Sequence, residues 1–463
     1  MTVSAPSTAG RLSSLLDARR EALSSVFERD GDRIARACHD MARAFARGGV
    51  LIPFGTGAAA TDAAHVAVEF MHPVIVGKRA LPALSPVNDP TGASRLARLA
   101  RAGDIAIGIS HGPQEPAVAD FLAEARGRGL LTIALMGGEA AGGEAADHCF
   151  SVGSEDPHVV QEAQETTYHV LWELVHVFFE HPGLLDEACI TCGDVAVEAR
   201  VVGLRDHTAV IEREGLREEV AVDLVEGVAV GDVLLCHAGV ALERLPGRSE
   251  PRAEAAAPPD DPTSFLYPFL ESEEYDLDTV LADVRASTVR KGADTIELQR
   301  GIDLAAVQGC AATVRERLEA AGRLIAFGNG GSSTDAQDVV GDCLMRGWPA
   351  VCLNNDVATV TAVANDVGFD NVFARQLIPL GRAGDVALAI STSGSSRNVV
   401  AGLEEAHRRQ MLTVAITGYD GGRLAELDWL DHLFVVGSDY IPRLQEAHAT
   451  IYHLLLEAIG DQP

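Results

Sequence analysis

Apolar positions recur at helical spacing, with charged residues between them, over Leu12–Phe27 and Ile34–Ala46, which predicts two helices leading into a sheet. A short apolar run, Gly49-Val-Leu-Ile-Pro-Phe54, follows and suits a buried parallel strand; Arg323-Leu-Ile-Ala-Phe327 is a second such run. Each ends on glycine and passes into a helical pattern, Gly55–Glu69 and Gly328–Leu344. With Gly55 laid on Gly328 the chain repeats itself. Asn88-Asp89 falls on Asn365-Asp366, Gly103-Asp104 on Gly384-Asp385, Leu131–Leu135 on Leu412–Ile416, and Gln161-Glu162 on Gln445-Glu446. Both copies end on a helix carrying Tyr-His, at Tyr168-His169 and Tyr452-His453. Strands alternating with helical stretches predict an α/β, doubly wound parallel sheet in each copy, covered on both faces.

Between the copies the period shortens. Val195–Val202, Thr208–Glu212, Glu218–Leu224 and Val233–His237 alternate as strands punctuated by turn residues, predicting a small all-β barrel. Pro246–Pro262 has the proline, alanine and charge content of a linker that cannot bury itself. Helical spacing returns at Leu277–Gly301 and Asp303–Ala320, ahead of the second copy. The expected division is 1–187 for the first α/β domain, 188–246 for the barrel, 247–275 for a linker and 276–463 for the second α/β domain.

Composition narrows the function classes. With 463 residues, 47% of them apolar, large cores form without disulfides or metals. No run of about 18 apolar residues appears, and the N-terminus lacks a basic start with an apolar centre, so a soluble, cytoplasmic protein is expected. A formal charge of −30 argues against nucleic acid or anionic membrane as a partner. A phosphorylated ligand must therefore be held by local N–H groups and hydroxyls. Of the eight cysteines only Cys189 and Cys192 are closely paired, which is no disulfide framework.

The junction at Gly328-Asn-Gly-Gly-Ser-Ser333 is suited to anions. Its glycines let the backbone approach a ligand, its serines offer hydroxyls, and the next helix presents free N–H groups. A dinucleotide fingerprint would need a third glycine at Ser333, and a P-loop a Gly-Lys-Ser/Thr ending; neither is present. The stretch to Leu344 resembles the first ligand loop of the SIS (sugar isomerase) family, and within it the phosphoheptose isomerases, with a pattern close to GNGGSxxDAxHxxxE. Asn365-Asp366, Ser391-Thr392-Ser393-Gly394, Thr417–Gly422 and Arg443–Glu446 continue the resemblance in order.

The resemblance implies a His and a Glu four residues apart on the first helix and a Gln and a His eight apart on the last, converging on a divalent metal and the sugar carbons. Such sets serve aldose–ketose isomerisation. The first copy matches throughout, with His65, Glu69, Gln161 and His169, a set suited to zinc. The second keeps Gln445 and His453 but has Asp338 and Asp342 at the His and Glu positions, which withdraws the base. His39, His72, His158 and His176 have no partners at these spacings.

The phosphate cradle divides the other way. Ser391-Thr-Ser-Gly-Ser-Ser396, after a strand and before a helix, offers hydroxyls and N–H groups; in the first copy Ser110-His-Gly-Pro-Gln-Glu115 puts a proline and a carboxylate there. Three arrangements are open. Each copy is a binding domain that has lost catalysis, the second copy catalyses through Asp342 and His453, or a composite site forms between copies with Glu69 and His169 moving protons. In each, Asn329, Gly330, Gly331, Asn365, Asp366, Ser391, Thr392, Ser393, Ser396 and Gln445 are the candidate substrate-binding residues, and Asp338, Asp342, Gln445 and His453 the second candidate metal set.

The end of the barrel, Val230-Gly-Asp-Val-Leu-Leu-Cys-His-Ala-Gly-Val-Ala-Leu242, resembles the HypC/HupF hydrogenase-maturation chaperones. That resemblance implies iron handling by Cys189, Cys192 and His237, with hydrogenase-maturation proteins as partners. Here Cys189 lies deep in the chain, whereas the family's cysteine follows the initiator Met. The expected function is a phosphosugar-binding protein, homo-oligomeric, with isomerase activity on sedoheptulose 7-phosphate or a related sugar phosphate. The rival is a non-catalytic accessory protein of nickel-iron hydrogenase maturation.

Overall fold

The computed structural model describes residues 8–75, 78–85, 100–113, 115–138, 146–181, 184–185, 197–205, 207–213, 216–225, 227–237, 239–245 and 277–460. In the first copy, helix α1 (Thr8–Ala46) leads to β1 (Leu51–Gly55), α2 (Ala59–Met71), β2 (Ile105–Ser110), α3 (Pro116–Gly127), β3 (Leu131–Gly137), β4 (His148–Val152) and α4 (Pro157–Phe179). The barrel follows as β5 (Val197–Arg205), β6 (Thr208–Arg213), β7 (Leu216–Ala221), β8 (Val233–His237) and β9 (Val240–Arg244). The second copy comprises α5 (Leu277–Arg300), α6 (Leu304–Glu319), β10 (Leu324–Gly328), α7 (Gly331–Met345), β11 (Ala350–Cys352), α8 (Val357–Asp366), α9 (Val372–Leu380), β12 (Val386–Ser391), α10 (Arg397–Arg408), β13 (Leu412–Gly418), β14 (His432–Val436) and α11 (Ile441–Gly460).

Both sheets are parallel, in the orders β1-β2-β3-β4 and β11-β10-β12-β13-β14, and the barrel closes as β5-β6-β7-β9-β8. The barrel carries one strand more than the alternation predicts, since Val240–Arg244 pairs with β8 through a register shift that hides its period. The repeat is also visible bond by bond. Asp147 accepts from the backbone and hydroxyl of Thr132 at 2.9 and 2.8 Å, and Asp431 does the same for Thr413 at 2.8 Å. A Cβ on Gly55 would lie 2.2 Å from the Ala59 carbonyl, and one on Gly328 2.3 Å from that of Ser332, so both strand-to-helix turns require glycine.

The two helices expected over Leu12–Ala46 are one helix of 39 residues. Asp30 bonds Arg33 at 2.9 Å and Arg29 at 2.6 Å, bracketing Gly31, and the missing Gly31 side chain lets Arg285 of α5 approach. Continuity has a consequence for packing. Leu12 and Leu16 of α1 join the core of the second copy, while Val280 and Val284 of α5 join that of the first. The starts of the lead-in helices are exchanged, while the rest of α1, from Leu23 to Phe45, packs in the core of its own copy.

Helices α4 and α11 lie between the sheets and are buried on nearly all sides despite many polar residues. Those residues pair across the copies. Arg443 bonds Glu173 at 2.6 Å, and Lys291 completes the pair. Burial works against ionisation of Glu173, but the charges of Lys291 and Arg443 hold its pKa down at about 2 against an ordinary 4.5. Its contribution to stability is therefore complete above pH 4.5 and is lost as the pH falls towards 2. Glu173→Gln, which leaves Arg443 and Lys291 buried without their counter-charge, is expected to cost about 3–5 kcal/mol at neutral pH. Urea unfolding as a function of pH should show a shallower acid limb in the variant; an unchanged limb would refute the assignment.

Candidate active site

One site forms where α2 and α4 of the first copy meet α11 and the start of α7 of the second. His65 and Glu69 sit one turn apart on α2, with His65 Nε2 3.6 Å from Glu69 Oε1. His169 of α4 completes a set whose ligand atoms all lie within 4.8 Å of one another. The amide that joins them belongs to the second copy: Gln445 Nε2 is 3.0 Å from His65 Nε2 and 3.4 Å from Glu69 Oε1. His169 Nδ1 bonds Glu446 Oε1 at 2.9 Å, which fixes the ring and leaves Nε2 for the site.

Burial disfavours charge on Glu69, but hydrogen bonding and charge from His65, then the His169 charge, outweigh it and hold the carboxyl below its usual range. His169 Nε2, Glu69 Oε2 and Gln445 Oε1 are buried with no hydrogen-bond partner among the described residues. Two imidazoles and a carboxylate whose ligand atoms lie within 4.8 Å of one another, with the Gln445 amide beside them, fit a divalent metal of the zinc type.

The glycine loop of the second copy covers this set. A Cβ on Gly331 would lie 2.0 Å from Gln445 Nε2 and 2.6 Å from His65 Nε2, so the loop backbone touches the cluster. From there a rigid link runs to the cradle, because Asn329 and Asn398 exchange amide hydrogen bonds of 2.9 and 2.8 Å. Asn398 lies in the first turn of α10, directly after the cradle serines. Ser391 Oγ is 3.4 Å from Ser396 Oγ, and Thr392 accepts from the Gly418 amide at 2.9 Å. Ser393 lines a shallow cavity of about 740 Å³ with Ser395, Tyr419 and Asp420. The candidate cradle of the second copy is thus linked, through Asn398, Asn329 and Gly331, to the His65–Glu69–His169 set of the first.

The pseudo-equivalent site is closed by its own side chains. Asp338 accepts from Gln161 and Tyr452, each at 2.9 Å, and lies 3.4 Å from His453 Nε2. His453 Nδ1 bonds Glu162 Oε1 at 2.8 Å, mirroring His169 and Glu446. Asp342 is held by His158 at 2.8 Å, and the His158 ring stacks on His453 with centroids 4.4 Å apart. Burial opposes charge on His158, yet its bonds to Asp342 and Glu457 raise its pKa to about 9. The first-copy cradle is occupied too, by His111 bonded to Asp62 at 2.8 Å.

These positions correct the expected grouping. Gln161 does not complete the His65, Glu69, His169 set; it serves Asp338, and Gln445 takes its place, because α4 and α11 cross at the centre and each presents its Gln to the other copy. Asp342 is engaged with His158 instead of being free as a base. Asn365 and Asp366 are exposed at the end of α8 and bond each other at 2.7 Å. Asn88, Asp89, Cys189 and Cys192 lie outside the described residues; His237 is placed in β8 without a described side chain. His158, Glu162, Glu446 and Asn398 were missed as site residues, although the Gln-Glu pair repeated in both copies was a signal for two of them.

Comparison with known proteins agrees with the repeat. The SIS domain family matches residues 15–137 and 298–418, and the HupF/HypC family matches 195–255. A phosphoheptose isomerase of Thermodesulfovibrio yellowstonii is 38% identical over 165 residues, 34% of this chain and 81% of its own length. One from Alteromonas mediterranea is 41% identical over 162 residues, 34% of this chain and 82% of its own length. The solved C-terminal domain of glucosamine-fructose-6-phosphate aminotransferase from Francisella tularensis covers all of both chains with a TM-score of 0.56 at 9% identity, a likeness of fold.

Gly331→Ala should displace His65 and Gln445 together. A misplacement of about 1 Å is enough for a roughly hundredfold loss of any activity at this site. Turnover and zinc affinity measured side by side should both fall; unaltered values would mean the loop is not part of the site.

Proposed function

This chain belongs to the SIS domain family, and we propose that within it the chain is a cytoplasmic phosphosugar isomerase with one working site per tandem pair, acting on sedoheptulose 7-phosphate or a related sugar phosphate. The observation that supports this reading is the contact of Gly331 with His65 and Gln445. It joins the one intact catalytic set to the one intact cradle. Relatives named phosphoheptose isomerase support the substrate class.

In this mechanism the phosphate is held by the N–H groups at the start of α7 and α10 and by the hydroxyls of Ser391, Thr392, Ser393 and Ser396. Asn329 and Asn398 keep the two loops at a fixed separation. Glu69 takes the proton from the carbon beside the carbonyl through the oxygen that has no partner among the described residues, and returns it to the neighbouring carbon. His169, oriented by its Nδ1 bond to Glu446, keeps Nε2 directed at the His65–Glu69 pair. Zinc held by His65, Glu69, His169 and Gln445 would supply positive charge opposite the enediolate oxygens.

A second reading, an accessory role in hydrogenase maturation, draws on the HupF/HypC match alone. The two are separated by incubating the protein with sedoheptulose 7-phosphate in D₂O and following the C1 and C2 protons by NMR. Exchange should fall about 10²–10⁴-fold in Glu69→Gln, as for a removed general base, and stay within about twofold in Asp342→Asn. Zinc removal should abolish exchange and zinc should restore it. Exchange that survives Glu69→Gln and vanishes in Asp342→Asn would move the site to the second set, and no exchange at all would favour the accessory role.

A further inference from the structure

Beside His65 and Asp338, between the two candidate sites, lies a narrow cavity of about 10 Å³, room for one water molecule or one small ion. Four carboxylates line it, from Asp62, Glu165, Asp335 and Asp338, with the imidazole of His65 as part of the wall. Two of the four are occupied. Asp62 accepts from His111 at 2.8 Å, and Asp338 from Gln161 and Tyr452 at 2.9 Å. Glu165 Oε1 and Asp335 Oδ2 are buried and have no hydrogen-bond partner among the described residues. One ligand atom each of Glu165, Asp335 and His65 lies within 4.8 Å of the others.

The repeat explains why these two are left over. Asp335 corresponds to Asp62, but the residue that corresponds to His111 in the second copy is Thr392, so Asp335 has lost its imidazole. Glu165 corresponds to Ala449, so it is an added carboxylate without a symmetry mate. Burial, and then the neighbouring carboxylates, push both groups well above their usual range. The geometry leaves two unpartnered carboxylate oxygens facing one small cavity beside two further carboxylates, an excess of negative charge that a cation would offset.

We propose that this cavity binds a divalent cation, with Glu165 and Asp335 as its carboxylate donors, at a position separate from the His65–Glu69–His169–Gln445 set. The His65 ring is the partition between the two positions: Nε2 faces Gln445 at 3.0 Å, and Nδ1 meets the Tyr168 hydroxyl at 3.2 Å on the cavity side.

The test uses Mn²⁺, an oxygen-preferring ion that the cysteines do not retain. The full chain is stripped with chelator, loaded with Mn²⁺, desalted and analysed for bound metal. The wild type should hold two ions per chain, and Glu165→Gln and His169→Ala one each. Glu165→Ala, which restores the residue found at Ala449, serves as a second variant, with circular dichroism checking its fold. Equal metal content in the wild type and both folded Glu165 variants would overturn the proposal. One ion in the wild type and none in the Glu165 variants would instead leave the cavity site standing and remove the metal from the isomerase site.

Discussion

The reciprocal exchange between the two central helices is the constraint on which the rest depends. His169 Nδ1 is bonded by Glu446, and His453 Nδ1 by Glu162, at 2.9 and 2.8 Å. Both glutamates are buried; burial opposes charge on Glu162, but the Arg19 charge and the bonds from His453 and Thr450 hold its pKa at about 2. Removing any one member leaves a buried charge or polar atom unpaired, so the helices can cross in one register only. That register aims Nε2 of each histidine at its site and delivers each glutamine to the other copy.

Once a site draws on both copies, two copies give two sites that are related by the repeat yet chemically independent. A substitution in the cradle of one copy affects the site whose metal-type residues come from the other. The substitutions are sorted accordingly. His65 and Gln445 meet the glycine loop at Gly331, whereas Asp338 is bonded by Gln161, Asp342 is paired with His158 and His111 is bonded to Asp62.

The second site has not become an empty pocket. Asp338 is bonded by Gln161 and Tyr452 and Asp342 lies 2.8 Å from His158, whose ring stacks on His453, while His453 Nε2 and Asp342 Oδ2 have no hydrogen-bond partner among the described residues. Satisfied polar groups at the centre of an interface specify one arrangement of the elements. The bonded groups of this half therefore help to hold the two copies in register, and the starts of α1 and α5, each packed in the core of the other copy, extend that contact to the outer layers.

Local sequence determined a great deal here. Apolar spacing and glycine placement specified both sheets, the repeat and the barrel, because strand-to-helix turns at Gly55 and Gly328 need backbone approaches of 2.2 and 2.3 Å that only glycine permits. The resemblance of the chain's motifs to the sugar isomerases singled out His65, Glu69, His169, Gln445 and the cradle serines as candidates. Sequence could not decide which glutamine joins which histidine, since Gln161 and Gln445 occupy identical places in their copies and both spacings suit a site within one copy. Nor could it show that Asp30 carries α1 through Gly31, or that His158 engages Asp342. Those outcomes depend on how two buried helices cross, a matter of packing between residues nearly 300 positions apart that no local pattern records.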